Sequence, residues 1–398
     1  MNIYCRKEET KLTVLIIPTE KCNFKCTYCF EPESMRQPKV ELNLNLVSIE
    51  NSLKQICSGS YKGAGIGLHG GEATLVGSTV IEELFKMMQR YAGPNNKLSL
   101  TTNAYLIDNA FIRMLKKYSV HIGVSVDGPP ELNTLRGPDP TNKKITERYN
   151  KHLWKTLKKM RKADISIGAM VVLHKENAGT PEKVDKLIEW IKDLADIGIT
   201  SGRLNPMGGH GDCAHLELTN DELLYAWKRL FDATMEYGLA WNPFREFIDN
   251  LLGFPVASCT MGQCNWFKTT TISILPDGTI SNCDRTFADD LHVRSTRKER
   301  SGRYLAMNAD DCKECKYWKI CGGGCPGNGI DGDWRRKTRF CEAIYDLYEY
   351  IAAKIKGILP NTYLVTQNND KNPFKVMSYN FTDRPSASGS CRPKEAQQ

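Results

Sequence analysis

Between Leu12 and Asn205, short β-rich runs alternate with longer helical patterns, and no other feature limits the fold as much. Strands are expected at Leu12–Ile17, Gly65–Leu68, Leu98–Thr102, His121–Val126, Ile165–Val172 and Ile199–Asn205. The intervening stretches near Leu44–Cys57, Thr79–Tyr91, Asp108–Lys117, Ile145–Lys162 and Pro181–Ala195 carry helical periodicity. Repeated strand-then-helix units imply an α/β fold with parallel strands and right-handed crossovers. Six units fall short of the eight of a closed barrel, which leaves an open, partial (β/α)6 barrel or a doubly wound sheet. Either places ligands at the C-terminal ends of the strands.

The pattern changes after Pro206-Met207-Gly208-Gly209. Leu218–Glu236, with Thr219 as N-cap, and Pro243–Leu252 read as helices. From Cys259 to Cys341 the chain is dense in Cys and Gly and too poor in apolar residues for a large core, so something must staple it. Ala343–Ile358 reads as a further amphipathic helix, and the polar stretch Asp383–Gln398 as disordered. The expected division is a barrel over residues 1–210, a helical bridge over 211–255, a small Cys-rich domain over 256–345, and a C-terminal helix and tail over 346–398.

The 398 residues include 15 cysteines. An odd count fits a closed disulfide framework badly. The start, Met1-Asn2-Ile3-Tyr4-Cys5-Arg6, lacks the apolar core of a signal peptide, and no run is long enough to span a bilayer. A cytoplasmic protein is expected, in which so many thiols must bind something. The net charge of +8 is spread along the chain, which argues for neither nucleic acid nor membrane as partner.

Cys22, Cys26 and Cys29 form a C-x3-C-x2-C loop just past the first strand. Three thiolates on one loop can hold an iron–sulfur cube and leave one iron open to a small molecule; structural zinc or redox thiols are the alternative. This loop, with Tyr28 before the third cysteine, resembles the radical S-adenosylmethionine (SAM) enzymes. So do His69-Gly70-Gly71-Glu72, Thr101-Thr102-Asn103-Ala104 and Ser125-Val126-Asp127-Gly128-Pro129, each after a successive predicted strand. The resemblance implies a partial barrel in which the open iron chelates SAM. An electron from the cluster then splits the sulfonium, giving methionine and a 5′-deoxyadenosyl radical. It also implies SAM contacts from Tyr28, Phe30, Gly70, Gly71, Glu72, Asn103, Ser125, Arg136, Leu204 and Asn205. Ala73 stands where the family usually has proline. The electron itself would come from an external one-electron reductant of flavodoxin or ferredoxin type.

Farther on, Cys264-x13-Gly278-x4-Cys283 and Cys312-x2-Cys315-x5-Cys321-x3-Cys325 precede Cys341. The series resembles the SPASM extension of peptide-modifying radical SAM enzymes, with Cys259 as an eighth thiolate. The resemblance implies two auxiliary 4Fe–4S clusters, one on Cys259, Cys264, Cys283 and Cys325, the other on Cys312, Cys315, Cys321 and Cys341. The residues themselves add a hairpin turn at Pro276-Asp277-Gly278 and a flexible Gly322-Gly323-Gly324; two zinc sites remain the alternative. In the sulfatase-maturing SPASM subfamily an aspartate in the position of Asp284 takes a proton from substrate, which makes Asp284 the candidate base.

The resemblance implies oxidation of a ribosomally made precursor peptide, forming a thioether or carbon–carbon cross-link while an auxiliary cluster accepts an electron. The alternatives are formylglycine formation from Cys or Ser in a sulfatase, peptide epimerisation, and a non-enzymatic electron carrier. With only a short stretch before Cys22, no N-terminal leader-binding domain is expected, which favours the sulfatase-maturing alternative. The continuation Cys29-Phe30-Glu31-Pro32 departs from the Cys-Phe-Tyr typical of the sulfatase-maturing subfamily. The basic run Lys155-Thr156-Leu157-Lys158-Lys159-Met160-Arg161-Lys162 reads as a solvated helix face, or as a docking surface for an acidic leader peptide.

Overall fold

A computed structural model describes residues 13–29, 44–57, 64–93, 98–209, 211–254, 256, 259, 271–281, 307 and 309–365. The predicted strands form as β1 (Thr13–Ile16), β2 (Gly65–Leu68), β3 (Ser99–Thr102), β4 (His121–Ser125), β5 (Ile167–Leu173) and β6 (Ser201–Pro206). Each pairs in parallel with the next. Strand order runs from β6 to β1 without reversal. A doubly wound sheet reverses order at a switch point, so the open, singly wound sheet is the one adopted.

Crossovers are made by α1 (Leu46–Cys57), α2 (Ser78–Tyr91), α3 (Asn109–Lys117), α4 (Lys143–Lys162) and α6 (Pro181–Asp196), the last preceded by the single turn α5 (Lys175–Ala178). Four residues give no periodic signal, so α5 was not anticipated. Each long helix buries one apolar stripe, such as Ile81, Leu84, Phe85 and Met88 of α2. These stripes meet Val14, Ile16, Leu68, Leu100, Ile122, Val124, Val171 and Leu173 of the strands in one core. Capping fixes where helices begin: Asp108 accepts from the Phe111 N–H at 2.7 Å, and Thr219 opens α7 (Asn220–Glu236) in a reciprocal pair with Glu222.

Three strands join the sheet beyond the six. β7 (Ala240–Asn242) pairs in parallel with β6 and is followed by α8 (Phe244–Leu251). The predicted hairpin forms as β8 (Thr271–Ile274) and β9 (Ile280–Ser281) about Pro276-Asp277-Gly278. Its first strand runs in parallel beside β1, on the side away from β2. The cysteine-rich region is therefore stitched into the sheet at the strand that leads to Cys22. A short α9 (Trp318–Cys321) and the long α10 (Cys341–Ile358) complete the described elements, with α10 packed on α7 and α8. No helix among the described residues is long and apolar enough to cross a membrane.

Candidate active site

Cys22, Cys26 and Cys29 lie on the loop that leaves the C-terminal end of β1. The turn after β2 is clasped to the approach to that loop. Gly71 N–H donates to the Thr19 carbonyl at 3.2 Å and Glu72 N–H to the Lys21 carbonyl at 2.8 Å. A Cβ on Gly70 would stand 2.4 Å from the Thr19 carbonyl oxygen, and one on Gly71 would stand 2.3 Å from that of Lys21. The two glycines thus permit the contact of one loop with the other.

Glu72 is buried and engaged through both oxygens. It accepts from Thr74 Oγ1 at 2.6 Å, Thr102 Oγ1 at 2.7 Å and the Asn103 N–H at 2.7 Å. Burial still raises its pKa against these donors. Asn103 continues inward, donating from Nδ2 to Asn23 Oδ1 at 2.8 Å inside the cysteine loop. One carboxylate therefore ties the ends of β2 and β3 together, and Asn103 passes that order on to the thiols.

On the other side of the loop lies a buried charge network that the sequence reading did not single out. Asp127, fully buried, accepts from the Tyr28 hydroxyl, from Arg136 Nε at 3.2 Å and from the Val172 N–H at 3.0 Å. His174, equally buried, places Nε2 3.9 Å from the same carboxylate and its ring 5.3 Å from that of Tyr28. Asn133 and Asn177 hold the Asp127 backbone from both sides. Burial alone would raise the Asp127 pKa; Arg136, then His174 and Tyr28, outweigh it and hold the carboxyl at about 2. The Ser-x-Asp-Gly motif held the signal, because an aspartate at a strand end followed by Gly-Pro is either an exposed turn or a buried anchor.

Of the other candidates, Ser125 ends β4 half-buried, Leu204 is buried in β6, and Asn205 follows it half-buried. Cys213 packs with Tyr28, Met207 and Leu216. Phe30, His210, Cys264, Cys283, Asp284 and the tail from 366 onward lie outside the described residues.

The donor set suits an iron–sulfur cluster. Burial, and behind it the charges of Cys26, Glu72 and Cys29, pushes the Cys22 thiol up to about 12. Thiols crowded in this way repel one another as anions, and a bound cationic centre relieves that repulsion as the protons leave. Among the described residues no three His, Cys, Asp or Glu side chains converge as a single-ion site.

Cys312, Cys315, Cys321 and Cys341 are brought together by the turn into α9 and the start of α10. Burial and then Cys341 push the thiols of Cys312 and Cys321 up to about 12. Aromatic rings pack behind them: Tyr317 stacks on Tyr348 at 4.9 Å, and Tyr348 on Phe247 at 4.2 Å. Gly322, Gly323 and Gly324 all have positive φ, and a Cβ on Gly324 would meet the Thr338 side chain at 2.4 Å. Cys325, just beyond, is buried. Cys259 is exposed, and Arg203 of β6 forms a two-pronged pair with Glu246.

Residues 16–188 match the Radical SAM superfamily. A cysteine-type anaerobic sulfatase-maturating enzyme of Clostridium perfringens is 24% identical over 377 residues, spanning 88% of this chain and 99% of that one. The solved structure of anSMEcpe with bound AdoMet and Cp18Cys peptide is similar at a TM-score of 0.68 and 21% identity, over 88% of this chain and 99% of that one. Streptococcus suis SuiB bound to precursor peptide SuiA gives a TM-score of 0.55 at 18% identity, over 82% of this chain and 75% of that one.

Proposed function

We propose that this radical SAM enzyme, whose matched domain spans residues 16–188, oxidises a side chain within a peptide or protein by removing a hydrogen atom. The observation that carries the reading is the three-thiol loop at the C-terminal end of β1, clasped by the Gly70-Gly71-Glu72 turn, in a sheet like that of relatives solved with peptides. Cys22, Cys26 and Cys29 would hold a cluster which, with SAM bound, would supply a 5′-deoxyadenosyl radical. The chain's own part is to fix that loop through Glu72, Asn103, Asp127 and Tyr28, and to offer Ser125, Leu204 and Asn205 along the strand ends. Cys259, Cys264, Cys283 and Cys325, and separately Cys312, Cys315, Cys321 and Cys341, would hold two auxiliary clusters that receive the electron left on the oxidised substrate. Asp284 would take a proton from it. Three cubes require about twelve irons per chain; near four would remove the auxiliary assignment.

Formylglycine formation from a sulfatase cysteine now carries more support than the cross-linking expected from sequence. The likeness to the Clostridium enzyme reaches nearly that whole chain, whereas a quarter of SuiB has no counterpart. Cross-linking stays as the second reading because Glu31 and Pro32 interrupt the subfamily's Cys-Phe-Tyr continuation. The test is the product mass after anaerobic reconstitution with a Cys-x-Pro-x-Arg peptide, with deoxyadenosine release as control. Exchange of the cysteine sulfur for an aldehyde oxygen establishes the first reading. Unchanged mass with SAM cleavage intact overturns it in favour of a precursor peptide. Absence of SAM cleavage overturns both.

A further inference from the structure

Arg136 faces the middle cysteine of the loop. The Lys25 N–H donates to the Gly137 carbonyl and the Thr27 N–H to the Leu135 carbonyl, both at 2.9 Å, so the residues flanking Cys26 grip the residues flanking Arg136. Within that clasp the guanidinium is divided between two partners. Nε donates to Asp127 Oδ2 at 3.2 Å, while Nη1 points to Cys26 Sγ at 3.9 Å. Its plane also lies over the Tyr28 ring, 5.5 Å from the centroid. The Arg136 side chain is 12% exposed and that of Asp127 is wholly buried. One guanidinium thus bridges the buried carboxylate and the cysteine sulfur.

We propose that Arg136, clamped by Asp127, is a positioning residue that sets the reduction potential of the cluster on Cys22, Cys26 and Cys29, and is not a ligand for the SAM carboxylate. The inference rests on the reading of that loop as the radical cluster site. A reduced cluster carries one more negative charge than the oxidised one. A buried cation and an N–H donor at a ligand sulfur therefore favour reduction, and their loss disfavours it. Asp127 offsets part of the effect without cancelling it, because Arg136 acts on Cys26 more strongly than Asp127 does.

The test is an EPR-monitored redox titration of reconstituted wild type, Arg136→Gln and Arg136→Lys, without SAM. The cluster is identified as the one whose signal changes when SAM is later added. Arg136→Gln is expected to lower the reduced-to-oxidised ratio at a fixed potential at least tenfold, about 59 mV for one electron. Arg136→Lys, which keeps charge but loses the fork, is expected to shift it less and in the same direction. SAM affinity, followed by the same signal, is expected to stay within about threefold, because no direct carboxylate contact of the charge-assisted kind is lost. Unmoved potentials in both variants, or a tenfold loss of SAM affinity at unchanged potential, overturn the proposal. If Arg136→Gln loses iron, the Arg136→Lys titration decides alone. A wild-type protein with no SAM-sensitive signal would instead overturn the functional reading beneath it.

Discussion

Around Cys22, Cys26 and Cys29 the neighbours are charged and buried: Glu72, Asp127 and Arg136. Around Cys312, Cys315, Cys321 and Cys341 they are rings, Trp318, Tyr317 and Tyr348, with ion pairs such as Arg336–Asp311 and Lys316–Glu349 kept toward solvent. Buried charge is costly unless paired, so its concentration at the first group marks a place where charge changes matter. Aromatic packing gives rigidity and low polarity, the surroundings that the proposed auxiliary cluster, with all its ligands from the protein, would call for. The first group has three thiols on one loop; the second gathers four from two segments.

The contrast is broken most severely by removing one thiol from each group. Cys26→Ala is expected to abolish deoxyadenosine formation, whereas Cys321→Ala leaves SAM cleavage measurable and lowers bound iron by about four per chain. Deoxyadenosine and iron assays on both variants check this; equal loss of cleavage would mean that the two groups do not differ in role.

A smaller effect concerns the supports. Asp127→Asn leaves the Arg136 cation buried without its counter-ion and is expected to cost about 3–5 kcal/mol in urea unfolding. Arg336→Gln, at the exposed pair beside the second group, is expected to leave the urea midpoint unmoved. Acid sharpens the same point. The Asp127 pKa is lowered from 3.8 to about 2 in the folded chain. Its stabilisation is therefore complete above 3.8 and is lost as the pH falls toward 2. The gap in stability between wild type and Asp127→Asn is expected to narrow over that interval, and a gap that widened on acidification would contradict the assignment. The smallest change is Tyr348→Phe. It keeps the ring between Phe247 and Tyr317 and loses a 3.5 Å contact to the Ile320 carbonyl, so a loss under about 1 kcal/mol in thermal unfolding is expected.

Much of this architecture was legible because it is written locally. The six strands announce themselves by β-rich runs, the helices by apolar stripes such as that of α2, and two helix starts by Asp108 and Thr219. Spacing also marked the cysteine loop and the Gly70-Gly71-Glu72 turn. What escaped depends on partners far apart in the chain. Asp127 becomes an anchor only when Arg136 of the same connection and Tyr28 and His174, from two other segments, converge on it. At Gly70 and Gly71 the atoms that a Cβ would strike belong to Ile17, Thr19, Glu20 and Lys21, a contact that no local pattern announces. The strand β7 is three residues long, too short for an alternation to register. The β8–β9 hairpin was visible in its turn residues, but its docking beside β1 was not, because parallel pairing leaves no mark in either strand alone.

That docking bears on how the chain is made. During synthesis β1 emerges first and gains β2 soon after, yet its other edge stays bare until Thr271–Ile274 has left the ribosome. An unpaired edge invites wrong partners, and pairing so distant in sequence forms slowly. The nascent chain therefore carries its cysteine loop on a half-finished strand for most of its translation. Closure of that edge sets the β8–β9 turn beside the C-terminal end of β1, so the strand beneath the cysteine loop is completed only after most of the chain has been made.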